Sequence, residues 1–121
     1  MPAEATAAPA PAFRLVAPLR LNPLVRDALA AAIASMNGDS RTADAITVSA
    51  GVFVPLEVFK RRHVDIPVVQ RSLTETGMTA VGGNGRSGTV QHDMGGKQEL
   101  GFVIRADFVS GLDPSDFAPP A

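Results

Sequence analysis

The pattern that most constrains this chain is one amphipathic helix bracketed by its own start and stop signals. Asn22 is a good N-cap, and Pro23 suits the first helical position, where no intrahelical N–H bond is needed. Leu24, Val25, Ala28, Leu29, Ala32, Ile33 and Met36 then recur at helical spacing. Asp27 lies near the positive end of the helix dipole, and Asn37-Gly38 closes the run. An apolar stripe of this kind reads as core, so the remaining elements must supply the layer that covers it.

Those elements are short. Ile46 and Val48 alternate with Thr47 and Ser49, Ala50-Gly51 can turn the chain, and Val52-Phe53-Val54 returns it, which predicts an antiparallel hairpin. Pro55 starts a short helix with Leu56 and Phe59 turned inward; it ends in Lys60, Arg61, Arg62 and His63, a run that suits the negative pole of the dipole. Asp65-Ile66-Pro67 announces another helix, with Ile66, Val69 and Leu73 inside, Gln70, Arg71, Thr74 and Glu75 outside, and Gly77 as C-terminal cap. Met78 to Val81 reads as a short strand, and the glycine-rich stretch Gly82 to Gly88 as a flexible turn. Thr89 to His92 reads as the returning strand, and Asp93 to Lys97, containing Gly95-Gly96, as a second turn. Leu100, Phe102 and Ile104 alternate with Gly101, Val103 and Arg105 in the best strand signal of the chain, and Phe108 and Leu112 are expected to pack back on the core.

The length of 121 residues fits one domain. Prolines spaced by alanines predict a disordered arm over residues 1–18 and a flexible tail over 113–121, leaving 19–112 as the folded unit. Hydrophobic residues make up 45%, enough for a packed globule. The absence of cysteine removes disulfides, thiolate nucleophiles and cysteine-based zinc sites. No apolar run approaches the ~20 residues of a membrane span, and the start lacks the basic and apolar parts of a secretion signal, so a cytoplasmic protein without membrane contact is expected.

Helix, hairpin, two short helices, a glycine-rich hairpin and a final strand make an α+β chain with the order of a winged helix. Residues 67–76 are the expected recognition helix. The net charge of −1 argues against bulk attraction to nucleic acid. From Lys60 to Lys97, however, six basic residues (Lys60, Arg61, Arg62, Arg71, Arg86, Lys97) stand against three acidic ones (Asp65, Glu75, Asp93). The candidate contact set is therefore Lys60, Arg61 and Arg62 on phosphates, Gln70, Arg71 and Thr74 on the helix face, and Arg86 and Lys97 on the wing. Glu75, one turn from Arg71, opposes tight binding to a polyanion and offers Arg71 an ion-pair partner.

The stretch from Ala45 to Phe59, AITVSAGVFVPLEVF, resembles the C-terminal domain of TraI-like conjugal-transfer relaxases of the MobH class. Val69-Gln70-Arg71-Ser72-Leu73 with Gly77-Met78 resembles a helix of that domain running into a short strand; Gly88 to Gln91 and Leu100 to Ile104 resemble its last strands. The likeness spans about residues 20 to 110. The chain departs from the family where Val54-Pro55 replaces a Ser-Pro and where no histidine stands near Thr47. The resemblance implies a winged-helix-like accessory domain of a DNA-processing protein, whose metal-dependent chemistry resides in another domain.

Nothing in the residues predicts catalysis, a metal or a cofactor. His92-Asp93 could be two metal ligands, but the other histidine, His63, is distant in sequence and a site needs three or four. Ser49 and Ser87 lack a recognisable base and orienting acid. The loop Gly82 to Gly88 has the composition of a phosphate loop but sits between strands, without a following helix or a Lys-Ser pair. Two functions remain: a non-catalytic module that binds or positions DNA, and a module of the same fold that binds a protein of the DNA-transfer machinery.

Overall fold

In the computed structural model, residues 13–79 and 89–111 are described. They form a mixed domain of three helices and antiparallel sheets. In chain order the elements are β1 (Arg14–Leu15), α1 (Pro23–Ser35), a 3-10 turn (Ser40–Thr42), β2 (Ile46–Val48), β3 (Gly51–Pro55), α2 (Leu56–Arg61), α3 (Ile66–Glu75), β4 (Val90–Met94), β5 (Lys97–Arg105), a second 3-10 turn (Ala106–Phe108) and β6 (Val109–Ser110). The main sheet has the order β2-β3-β5-β4, and β1 pairs with β6 in a small second sheet. No helix among the described residues is long and apolar enough to cross a membrane.

α1 forms where its signals place it. The Asn22 side chain accepts from the Leu24 N–H at 2.8 Å, and Pro23 opens the helix. Val25, Ala28, Leu29, Ala32 and Ile33 are buried, whereas Leu24, at the outer edge of the stripe, is left 62% exposed. This face packs on one side of the main sheet, where Val52, Val54, Phe102 and Ile104 project together with Phe59, Val69, Leu73 and Met78 in one cluster. Phe59 meets Phe102 edge-on, with ring centroids 6.0 Å apart at 79°. Phe108 packs on the edge of the same cluster; Leu112 lies outside the described residues.

Two helix ends are closed by the same device. The Met78 N–H donates to Leu73 O at 3.0 Å and the Gly77 N–H to Thr74 O at 3.1 Å, with Gly77 at φ +71°. At the end of α2 the Val64 N–H donates to Phe59 O and the His63 N–H to Lys60 O, each at 3.0 Å, with His63 itself in the left-handed region at φ 60°. The turn therefore forms even though no glycine marks it, and only four residues, 62–65, separate α2 from α3.

Three expectations need correction. Residues 13–18 are not part of a free arm. Phe13, Leu15 and Ala17 pack against the core while Arg14 and Val16 point outward, and the Val16 N–H donates to Phe108 O at 2.8 Å. This period-two pattern survives among the prolines because β6 supplies a partner strand. Asn37 then holds the strand: its Oδ1 accepts from the Phe13 N–H at 2.8 Å and its Nδ2 donates to Phe13 O at 3.0 Å. Asn37→Ala is expected to lower stability by about 1 kcal/mol and to speed amide exchange of Val16 far more than that of Leu29. Unchanged exchange at Val16 would show that the side-chain clamp contributes nothing.

Second, the first hairpin turns at Ser49-Ala50 and Gly51 belongs to β3, opposite Arg105. A Cβ on Gly51 would stand 1.9 Å from Ile104 O, so the missing side chain permits β3 and β5 to approach. Third, Thr79 bridges Ile104 directly, while Val90 stands opposite Gly101. Ile104 and Gly101, three positions apart on β5, are thus opposed by residues eleven positions apart, Thr79 and Val90. Among the described residues, Thr79 and Val90–Met94 each meet β5, where Met78–Val81 was expected to pair with Thr89–His92; Ala80 and Val81 lie outside the described residues. Nine-residue β5 is long enough to receive both; the glycine-rich stretch itself lies outside the described residues.

The second hairpin turns through Gly95 and Gly96, with φ 66° and 89°, as a two-residue turn with both residues left-handed demands. Because β3 meets β5 only over Gly101–Arg105, the ribbon made by Gln91–Met94 and Lys97–Leu100 runs on past the end of β3. Leu100 is 45% exposed there.

Candidate nucleic-acid interface

The spacing of α3 sorts its side chains cleanly. Val69 and Leu73 are fully buried, and Pro67, Gln70, Arg71, Thr74 and Glu75 line one open groove on the outer face. The Thr74 hydroxyl donates to Gln70 O at 2.7 Å, so its proton is committed to the helix. Among the described residues no ion pair joins Arg71 to Glu75, and no hydrogen bond holds the Arg71 guanidinium.

The basic run at the end of α2 divides. Arg61 donates to Asp44 Oδ1 at 2.8 Å and, through Nε, to Glu57 O at 3.4 Å. Asp44 is itself placed by its N–H, which donates to Ser35 Oγ at 2.8 Å, while that hydroxyl donates to Ala32 O. Arg61 thus ties α2 to the segment after α1, in an exposed contact of the kind worth about 0–1 kcal/mol. Lys60 and Arg62 are exposed and have no ion pair among the described residues. Arg61 and Arg62 border a small pocket with Ala31, Ala32 and Val58, away from the α3 groove. Lys97 stands beside the Gly95-Gly96 turn, opposite Met94, and is exposed. Arg86 lies outside the described residues. The expected contact set therefore occupies separate places: the α3 face, the α2 terminus and the ribbon tip.

Ion pairing sorts the remaining cations. Arg26 meets Asp27 at 3.5 Å, Arg41 meets Asp39 at 2.9 Å and Arg105 meets Asp107 at 3.1 Å. The Arg41 side chain, and then its backbone N–H, hold the Asp39 carboxyl below the usual carboxylate range, so this guanidinium already has an anion. Arg20 was missed by the sequence reading. Its Nη2 lies 3.5 Å from the backbone carbonyl of Glu75, the last residue of α3, and Arg20 has no carboxylate partner among the described residues. No local pattern signals this, since the two residues are 55 apart in the chain.

His92 and Asp93 are adjacent in β4 and so project to opposite faces of the ribbon, which prevents them from closing on one ion. The His92 ring lies 5.3 Å from that of Phe53. Among the described residues no group of three His, Cys, Asp or Glu side chains is gathered in a way that could hold a metal. Ser49 sits in the first hairpin turn, and Ser87 lies outside the described residues. Comparison with protein-family models, with curated proteins and with solved structures gives no match.

Proposed function

We propose that this chain is a winged-helix module that binds DNA through α3 and carries out no chemistry of its own. The observation that carries the reading is the junction of α2 and α3 by four residues, with the polar face of α3 left open. The sheet order supports it: a strand between α1 and α2 pairs with the last strand of the final hairpin, as in a winged helix. In this reading Arg71, with Gln70 and Thr74, faces the groove of the nucleic acid, and Lys97 at the ribbon tip meets the backbone. Lys60 and Arg62 add cationic surface at the end of α2. The resemblance to TraI-like relaxases supplies the setting, an accessory domain that positions DNA in a conjugative DNA-processing protein.

A titration of labelled DNA at two salt concentrations tests this. Salt-sensitive binding is expected, and Arg71→Glu is expected to weaken it by about tenfold or more while leaving the melting temperature within a few degrees. No binding at tens of micromolar overturns the proposal. One observation favours a protein partner instead: Glu75 shares the α3 groove with Arg71, giving a face of mixed sign. That reading gains if Arg71→Glu leaves DNA affinity unchanged.

A further inference from the structure

An asparagine followed by glycine is an unusually labile step, because the missing Cβ lets the glycine backbone N approach the asparagine side chain. The chain has two such steps, Asn37-Gly38 and Asn84-Gly85. The second lies outside the described residues; the first is exposed, directly after α1. Both polar atoms of the Asn37 carboxamide are engaged by Phe13: Oδ1 accepts from its N–H at 2.8 Å and Nδ2 donates to its carbonyl at 3.0 Å. The Gly38 N–H is held as well, donating to Ser35 O at 3.2 Å.

These bonds hold the segment that opens most readily. β1 is two residues long, and β6 is its one partner strand among the described residues. A ladder this short belongs to the low end of local stability. Phe13 shares an apolar groove with Met36, Ala45 and Ile46, so its release uncovers apolar surface.

We propose that Asn37-Gly38 is a deamidation site gated by β1, and that conversion there makes the opening of β1 permanent. With β1 closed, the carboxamide is held on Phe13 and the Gly38 N–H keeps its proton on Ser35 O. With β1 open, the Gly38 N attacks the Asn37 Cγ. A Cγ–N bond forms, and the side-chain nitrogen leaves as ammonia with the proton from Gly38. Water then opens the cyclic imide. Cleavage at Cγ gives an aspartyl residue; cleavage at the backbone carbonyl gives an isoaspartyl residue, with the chain running through Cγ. Neither product closes the clamp again. An ionised carboxylate only accepts, so nothing donates to the Phe13 carbonyl and two oxygens face each other.

The test incubates the full chain at mildly alkaline pH, native and unfolded in guanidinium chloride, and follows Asn37 by peptide mapping. Native conversion is expected to be slower by about tenfold or more, since only the opened fraction reacts. Phe13→Ala keeps the backbone atoms that Asn37 grips but loosens the segment. It is expected to raise the native rate by at least about fivefold and to leave the unfolded rate unchanged. Leu15→Ala loosens the same segment from another position and serves if Phe13→Ala melts. Gly38→Ala restores the missing Cβ and is expected to slow conversion in both conditions. The added negative charge allows converted chain to be isolated by anion exchange. Its Val16 amide is expected to exchange several-fold faster than in the wild type while that of Leu29 is unchanged, and Asn37→Asp should reproduce this. Equal native and unfolded rates overturn the gating. So does an unchanged native rate in a folded Phe13→Ala or Leu15→Ala variant. Converted chain that keeps wild-type exchange at Val16 overturns the permanent opening.

Discussion

Gly101→Ala is expected to destabilise the domain by at least about 3 kcal/mol, a large share of the 5–15 kcal/mol typical of a domain. A Cβ at this position would stand 2.3 Å from Val54 O, 2.6 Å from the Pro55 Cα and 2.8 Å from the Phe53 Cζ. Two of these three atoms are backbone of the neighbouring strand and cannot move aside without breaking the β3–β5 ladder. Gly101 stands opposite Pro55 on β3 and opposite Val90 on β4, so the strain would fall on the junction where the ribbon leaves the sheet. The Phe53 ring lies over this glycine on the face of the sheet opposite the helices, and Phe53 is fully buried. Urea unfolding followed by circular dichroism is the measurement. Gly38→Ala is the control, because its Cβ would meet only Ser35 O, at an ordinary 3.7 Å. A midpoint for Gly101→Ala equal to that of Gly38→Ala would show that β3 and β5 can separate at little cost.

Phe59→Ala is expected to cost about 3–5 kcal/mol, through lost transfer free energy and the cavity left behind. Phe59 is fully buried, meets Phe102 of the sheet edge-on, and offers the carbonyl that accepts from both Arg62 and Val64 at the end of α2. It therefore connects three things: the sheet, the core and the turn that aims α3. Loss of the ring should loosen the turn as well as the core. Amide exchange at Val64 and Val69 is expected to rise toward the global rate, and any DNA affinity should fall with the placement of α3 rather than with its charge. Phe59→Leu keeps most of the apolar area and should recover much of both. A variant as stable as the wild type would mean that α1 and the sheet hold α2 without this ring.

The same residues explain how far the sequence could be read. α1 was legible because its start is set by atoms two residues apart, Asn22 and Leu24. The end of α3 was legible because Gly77 closes a loop of six residues, from Leu73 to Met78. The end of α2 was harder: the identical hydrogen-bond pattern is built on His63, a residue that only occasionally takes a left-handed conformation. Pairing of strands was harder still. A period-two run marks a strand but not its neighbour, so Thr79 was assigned to Thr89–His92 when its partner is Ile104. Likewise Phe13, Leu15 and Ala17 alternate, but the prolines around them outweigh the signal until β6 is seen beside them.

For the candidate site, the sequence by itself determined which face of α3 is polar, because 3.6-residue periodicity separates Val69 and Leu73 from Gln70, Arg71 and Thr74 without reference to any other segment. Tertiary structure alone decided which cations are already engaged. Arg61 is drawn away by Asp44, seventeen residues earlier, and Arg20 is brought to Glu75 from fifty-five residues away. Charge acts through space and falls off with distance and screening, so its effect depends on folded neighbours rather than on sequence spacing. A count of basic residues from Lys60 to Lys97 therefore located a positive region but could not tell a free arginine from a paired one.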